Sequence, residues 1–157
     1  VDAKELVAEV FNKGKALLKS HFQDISTEQI ASKFILTQNE SALISGDKNS
    51  LAEAILILID NSFVHSKKAF SIPKVELSTK KKGKHLVISV KDDGDGIPKE
   101  EIPKLFNLYY QADKNGGGSG IGLSYCKKIV ESQGGKITVD SKIGKGTEVK
   151  LWLLQAH

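Results

Sequence analysis

The sequence predicts an α+β fold, a two-layer α/β sandwich in which a mixed, mostly antiparallel sheet carries three main helices on one face. Strand-like runs occur in pairs joined by short glycine turns instead of alternating singly with helices. Three stretches place apolar residues at helical spacing, and such stripes must be buried against another layer. The 157 residues, 39% hydrophobic with only 3 prolines, suffice for one core without a disulfide or metal, since a chain of this size buries roughly 70% of its unfolded surface.

Residues 1–22 read as a helix, because Leu6, Val7, Val10, Phe11, Ala16, Leu17 and Leu18 recur at helical spacing behind Asp2, which is placed to cap it. Gly14 weakens that helix slightly. Residues 32–39, with Phe34-Ile35-Leu36-Thr37, read as a strand followed by a loop around Ser45-Gly46-Asp47. Residues 49–65 return to helical spacing through Leu51, Ala54, Ile55, Leu58 and Ile59, with Asp47 or Asn49 as the cap. Residues 75–79 and 86–90 form a strand pair, and Lys80-Lys81-Lys82-Gly83-Lys84 reads as the solvated turn between them. A short helix is expected around residues 99–106, then a flexible run over 113–118. The third helix starts near Gly120, carries Ile121, Leu123, Ile129 and Val130, and ends at Gly134-Gly135. Strands near 136–140 and 147–154 close the chain. With no internal repeat and no second core, residues 1–157 are expected to form a single domain.

The net charge of +4 matters less than its distribution: Lys67, Lys68, Lys74, Lys80, Lys81, Lys82 and Lys84 face Glu76 alone. That run has no aromatic residue interleaved to stack bases, so no nucleic-acid partner is expected. The longest apolar run, residues 54–59, falls short of the about 18 residues that span a bilayer. The opening Val1-Asp2-Ala3 has neither Met nor a leader, so the chain is expected to be a piece of something longer. The single Cys126 allows no internal disulfide and favours a reducing compartment.

Four features carry chemistry. The first is Asp92-Asp93-Gly94-Asp95-Gly96-Ile97, directly after a strand. Glycines two apart let the backbone turn and approach a ligand, and a carboxylate at a strand end can accept from an exocyclic amine. A solvated loop is the plain alternative, and an EF-hand is excluded because its twelfth position is Pro103. The second is Gly116-Gly117-Gly118-Ser119-Gly120-Ile121-Gly122-Leu123, running into a helix. Free backbone N–H groups and the helix dipole there make a phosphate-binding device, with a flexible hinge as the alternative. A dinucleotide fingerprint would follow a strand immediately, and a Walker loop would close on Gly-Lys-Ser or Gly-Lys-Thr; neither condition holds. The third, Gly144-Lys145-Gly146-Thr147, is a tight hairpin turn that needs no ligand by itself. The fourth is Asn61 at the end of an apolar helix stripe, whose amide oxygen suits Mg²⁺ alongside phosphate oxygens, or simply solvent.

In order and spacing, Asp60-Asn61-Ser62, the Asp92 to Ile97 turn, Leu105-Phe106-Asn107-Leu108-Tyr109-Tyr110-Gln111, the Gly118 to Leu123 run and Gly144-Lys145-Gly146-Thr147 resemble the N, G1, F, G2 and G3 boxes of the catalytic ATP-binding domain of sensor histidine kinases. The resemblance spans essentially the whole chain and implies the Bergerat ATP-binding fold with ATP and Mg²⁺ as cofactors. Residue by residue, it implies that Asp92 accepts the adenine amine, that Gly94, Gly96 and Ile97 shape the base pocket, and that Thr147 supports it. Asn61 would hold Mg²⁺. Residues 113–117 would form a lid anchored by Phe106, with Lys114 facing a terminal phosphate. Gly118, Ser119, Gly120, Ile121, Gly122 and Leu123 would line the phosphates. No catalytic residue is certain; Asn61, Lys114 and His65 are the candidates.

The sequence departs from the family at Ile57, where an Asn usually stands one turn before Asn61, and at Val64 and His65, where a basic residue and an aromatic usually follow. Ile57 also argues against a self-contained hydrolase of the gyrase and chaperone type, which carries a catalytic Glu there. Glu53, two turns before Asn61, is poorly placed as a base. None of His21, His65, His85 and His157 lies in an acceptor sequence. The resemblance therefore implies a domain that donates phosphate to a histidine on dimerisation helices outside this chain. The parent, with or without a membrane anchor, would be a cytoplasm-facing homodimer working with a response regulator receiver domain, and this fragment alone would be monomeric. Two other readings stay open: a degenerate nucleotide-binding or interaction module, and an anti-sigma-type serine kinase.

Overall fold

A computed structural model of the chain describes residues 1–65, 72–107 and 122–156, with His65 described by its backbone alone. In order these form α1 (Ala3–His21), α2 (Thr27–Lys33), β1 (Phe34–Asn39), α3 (Lys48–His65), β2 (Val75–Lys82), β3 (His85–Asp92), a 3-10 turn (Lys99–Lys104), α4 (Gly122–Ser132), β4 (Lys136–Lys142) and β5 (Gly146–Leu154). The strands make one sheet in the order β1-β2-β3-β5-β4. Only β1 and β2 run parallel; the other pairs are antiparallel. This is the α+β arrangement that the sequence predicts.

Alternation along the strands puts Val75, Leu77, Leu86, Ile88, Val90, Leu151 and Leu153 in the core, so one sheet face is apolar and must be covered. The helices α1, α3 and α4 cover it, with α3 packed between the other two and over β2 and β3. That position explains why α3 buries Leu51, Ala54, Ile55, Leu58, Ile59 and Phe63 almost completely. Asp2 caps α1 by accepting from Lys4 N at 2.9 Å. Asp47, rather than Asn49, caps α3, its Oδ2 accepting from Ser50 N at 2.9 Å and Ser50 Oγ at 2.8 Å. Those two bonds hold the Asp47 carboxyl below the usual carboxylate range.

Three expectations are corrected. The segment 32–39 is not all strand: Ser32 and Lys33 end α2, a helix started by a reciprocal capping box in which Ser26 Oγ accepts from Gln29 N at 3.1 Å and Gln29 Oε1 accepts from Ser26 N at 3.0 Å. The pattern Ser-x-x-Gln was the signal for it. Lys80, Lys81 and Lys82 belong to β2 rather than to the turn, which is only Gly83, at φ +58°, and Lys84. The helix expected around residues 99–106 is a 3-10 turn ending at Lys104. The fold also gives the lysine run the aromatic neighbour it lacks in sequence, since Lys82 Nζ and Lys136 Nζ lie 5.6 and 4.8 Å from the centre of the Trp152 ring system. Among the described residues no helix is long and apolar enough to cross a membrane.

Gly14 is a packing requirement, not a flaw in α1. A Cβ there would meet Phe34 Cε2 at 2.5 Å, and the Phe34 ring is held between Phe11, 4.8 Å away, and Phe63, 5.6 Å away. Gly14→Ala should therefore destabilise the fold by about 1–3 kcal/mol through overpacking, although alanine favours the helix by roughly 1 kcal/mol. Denaturant unfolding checks this; a gain in stability would mean that the phenyl ring yields freely.

Candidate functional site

On the helix-facing side of the sheet, Val90, Val149 and Val139 stand side by side on β3, β5 and β4. Two residues further, the same register aligns Asp92, Thr147 and Ser141. The apolar floor thus ends in a polar row of one carboxylate and two hydroxyls. Asp92, 7% exposed, accepts at Oδ1 from Gly94 N at 3.0 Å and from Thr147 N at 3.2 Å. These charge-assisted bonds fix the carboxylate at the end of β3. Ser141 Oγ accepts from Ile97 N at 2.7 Å, donates to Gly146 O at 3.0 Å and lies 2.8 Å from Thr147 Oγ1.

The loop after Asp92 and the turn between β4 and β5 meet backbone to backbone. Gly144 N donates to Asp95 O at 2.7 Å. Gly96, at φ +77°, lies where a Cβ would collide with Lys142 O, and Gly146, at φ +106°, where one would collide with Asp92 O. At these two positions the absent side chain serves a loop-to-loop approach. Asp93 ties the loop to the start of β2, donating from N to Lys74 O at 3.2 Å and accepting at Oδ1 from Lys74 N at 2.8 Å.

The second part of the site lies where α3 meets α4. Successive helical residues point about 100° apart, and Asp60, Asn61 and Ser62 diverge accordingly. Asp60 Oδ1 lies 2.6 Å from His21 Nε2 at the end of α1, and Ser62 Oγ donates to Leu58 O inside the core at 3.1 Å. Asn61 turns to α4: a Cβ on Gly122 would lie 3.4 Å from Asn61 Nδ2 and 3.7 Å from Asn61 Oδ1. Ile57, one turn earlier, reaches the same spot with Cγ2 at 3.2 Å, so an apolar group stands beside the start of α4. Leu123 packs half-buried against the core. Glu53 sits near Tyr125 and pushes its hydroxyl pKa up, so it serves the α3–α4 contact and not Asn61. Cys126 donates to Ala54 O at 3.2 Å, and burial pushes its thiol up to about 12. Phe106 receives Lys127 Nζ 5.6 Å from its ring centre, which ties the end of the 3-10 segment to α4.

The structure thus places Asp92, Gly94, Gly96, Ile97 and Thr147 around one sheet end and Asn61, Gly122 and Leu123 at the α3–α4 contact. Lys114, Gly118, Ser119, Gly120 and Ile121, with residues 113–117, lie outside the described residues, as does the His65 side chain. Sequence reading missed Ser141, although it stands in Ser-x-x-Gly-x-Gly-Thr ahead of Thr147. It also missed the strap through Asp93, which depends on the strand order. Among the described residues no three His, Cys, Asp or Glu side chains cluster as a metal cage.

A family model described as histidine kinase-, DNA gyrase B-, and HSP90-like ATPase matches residues 46–157. Sensor histidine kinase YkoH of Bacillus subtilis is 37% identical over 119 residues, which is 73% of this chain and 25% of that protein. Sporulation kinase C of the same organism is 30% identical over 138 residues, 83% of this chain and 30% of that protein. The chain therefore spans less than a third of either curated relative. The solved structure of a mycobacterial sensor histidine kinase, MprB, matches the fold with a TM-score of 0.75 at 23% identity, covering 99% of this chain and 95% of that one.

The loop contact separates two glycines of one turn. Gly146→Ala should cost roughly 3 kcal/mol or more, because the clash partner is backbone and the left-handed φ adds strain. Gly144→Ala, at φ +81° with nothing within 4 Å of its Cβ, should cost only about 1 kcal/mol. Equal losses in denaturant unfolding would contradict the proposed contact.

Proposed function

The chain belongs to the histidine kinase-, DNA gyrase B-, and HSP90-like ATPase family, and from that premise we propose that it binds Mg-ATP and donates the terminal phosphoryl group to a histidine on dimerisation helices of a two-component sensor kinase. The carrying observation is the buried Asp92 carboxylate, fixed by two backbone N–H groups in line with Thr147 and Ser141. An ionised carboxylate only accepts, which suits the adenine 6-amino group. Thr147 supports the base, and Gly94, Gly96 and Ile97 hold the loop around it.

The start of α4 at Gly122 and Leu123 is a place for phosphate oxygens, and the resemblance assigns Gly118, Ser119, Gly120 and Ile121 to the same role. The resemblance assigns Lys114 to the terminal phosphate and Phe106 to the base of a lid over it. Asn61 fits a metal brought in with the nucleotide: one carboxamide beside the helix start matches Mg²⁺, which keeps waters and phosphate oxygens as most of its ligands. Bound Mg²⁺ would neutralise phosphate charge and align the transferring group. Phosphoryl transfer needs chiefly position and charge neutralisation, so the accepting histidine can come from another segment. Residues 1–157 then act as one catalytic domain, monomeric alone, within a homodimeric parent that faces the cytoplasm and passes phosphate to a response regulator receiver domain. Ile57 beside Gly122 favours a second reading, a nucleotide-binding module with weak or no transfer.

Asp92→Asn keeps an oxygen for Gly94 N and Thr147 N but sets a donor against the adenine amine. It should weaken ATP binding by at least about 30-fold, on the order of 2 kcal/mol, without unfolding the chain. Fluorescent-nucleotide displacement measures this, and unchanged affinity removes the adenine assignment. With acceptor helices supplied in trans, radiolabel from ATP should appear as an acid-labile phosphohistidine. An acid-stable product would instead indicate a serine kinase, and no transfer would indicate the degenerate module.

A further inference from the structure

Ser141 makes more contacts than its single proton can serve. Ile97 N, 2.7 Å away, can only donate to Ser141 Oγ, and Gly146 O, 3.0 Å away, can only accept from it. The serine proton is therefore committed to Gly146 O. The 2.8 Å contact between Ser141 Oγ and Thr147 Oγ1 must then be closed by the threonine proton. Counted in this way, the Thr147 hydroxyl has only lone pairs left for any further partner. Its register neighbour Asp92 is likewise an acceptor when ionised. Asp92 and Thr147 accordingly meet a ligand as acceptors only.

We propose that Ser141 is a specificity-positioning residue: by taking the Thr147 proton, it makes the base pocket accept only, so that a purine with a 6-amino group is preferred over one with a 6-oxo group. The inference rests on the nucleotide-binding reading above but concerns a residue that touches no ligand and acts through Thr147. A free Thr147 hydroxyl would rotate and donate to a 6-oxo group, removing part of the discrimination. Burial of Asp92 and partial burial of Thr147 strengthen the effect, because an acceptor facing an acceptor without water leaves both unsatisfied.

Binding of ATP and of inosine triphosphate, whose base carries a 6-oxo group in place of the 6-amino group and a proton on N1, reads this term as the change in their affinity ratio when Ser141 alone is altered. The unaltered chain should prefer ATP, and Ser141→Ala should reduce that preference about tenfold, by about one hydrogen bond. Ser141→Thr, which keeps a hydroxyl, should retain the preference. In a Thr147→Val background, where no hydroxyl remains to be oriented, Ser141→Ala should leave the ratio unaltered. Ser141→Cys, with a weakly hydrogen-bonding thiol of similar size, gives the same readout if the alanine variant does not fold. Equal weakening of both nucleotides by Ser141→Ala would overturn the proposal and leave Ser141 as a support for the turn. Failure of the unaltered chain to bind ATP at all would instead remove the nucleotide reading, and this proposal with it.

Discussion

The site depends on one contact between two backbones: the loop that follows β3 lies directly on the turn that joins β4 to β5. Gly96 and Gly146 permit the approach, the Gly144 to Asp95 hydrogen bond closes it, and Ser141 bridges the loop to the turn through Ile97 N and Gly146 O. Without this contact, Asp92 would end its strand beside a loose hairpin. With it, the carboxylate is held by its own loop and by the neighbouring strand. Such positioning matters because a recognition group contributes most when its orientation is set before the ligand arrives.

A second constraint is the central place of α3. Burial among α1, α4 and the sheet fixes the helix, and its last turn then distributes three consecutive polar residues among three different surroundings. His21 takes Asp60 and the core takes Ser62, which leaves Asn61 to face the first residue of α4. The groups proposed to face the base thus come from strand ends and the one proposed to hold the metal from a helix end, joined through one core. In this chain the α4 side is less polar than the family pattern, because Ile57 occupies the place of an amide.

Much of this was legible from sequence because it is periodic. The stripe on α3 set its buried side, and the strand-like run 86–90 put Asp92 at a strand end. The five boxes in order identified the family before any geometry. What escaped sequence reading is non-local. The need for a glycine at position 14 arises from Phe34, and the burden on Gly146 arises from Asp92 O; neither neighbour lies near in sequence. Ser141 lay just past the strand expected over 136–140 and carried no signal of its own until the register set it beside Thr147. The helix α2 was missed for a different reason, since its seven residues are too few to display a period and only the capping box marks it.

The central claim, that the polar row and Asn61 together form a site for a metal-bound adenine nucleotide, is tested most directly by calorimetric titration of the chain with ATP, with and without Mg²⁺, using ADP for comparison. The account predicts that Mg²⁺ strengthens ATP binding, because Asn61 and the phosphate oxygens then share one cation, and that ADP binding depends less on the metal. Binding of ATP and ADP with similar affinity and no response to Mg²⁺ would contradict the role given to Asn61, and no binding of either nucleotide would contradict the account as a whole.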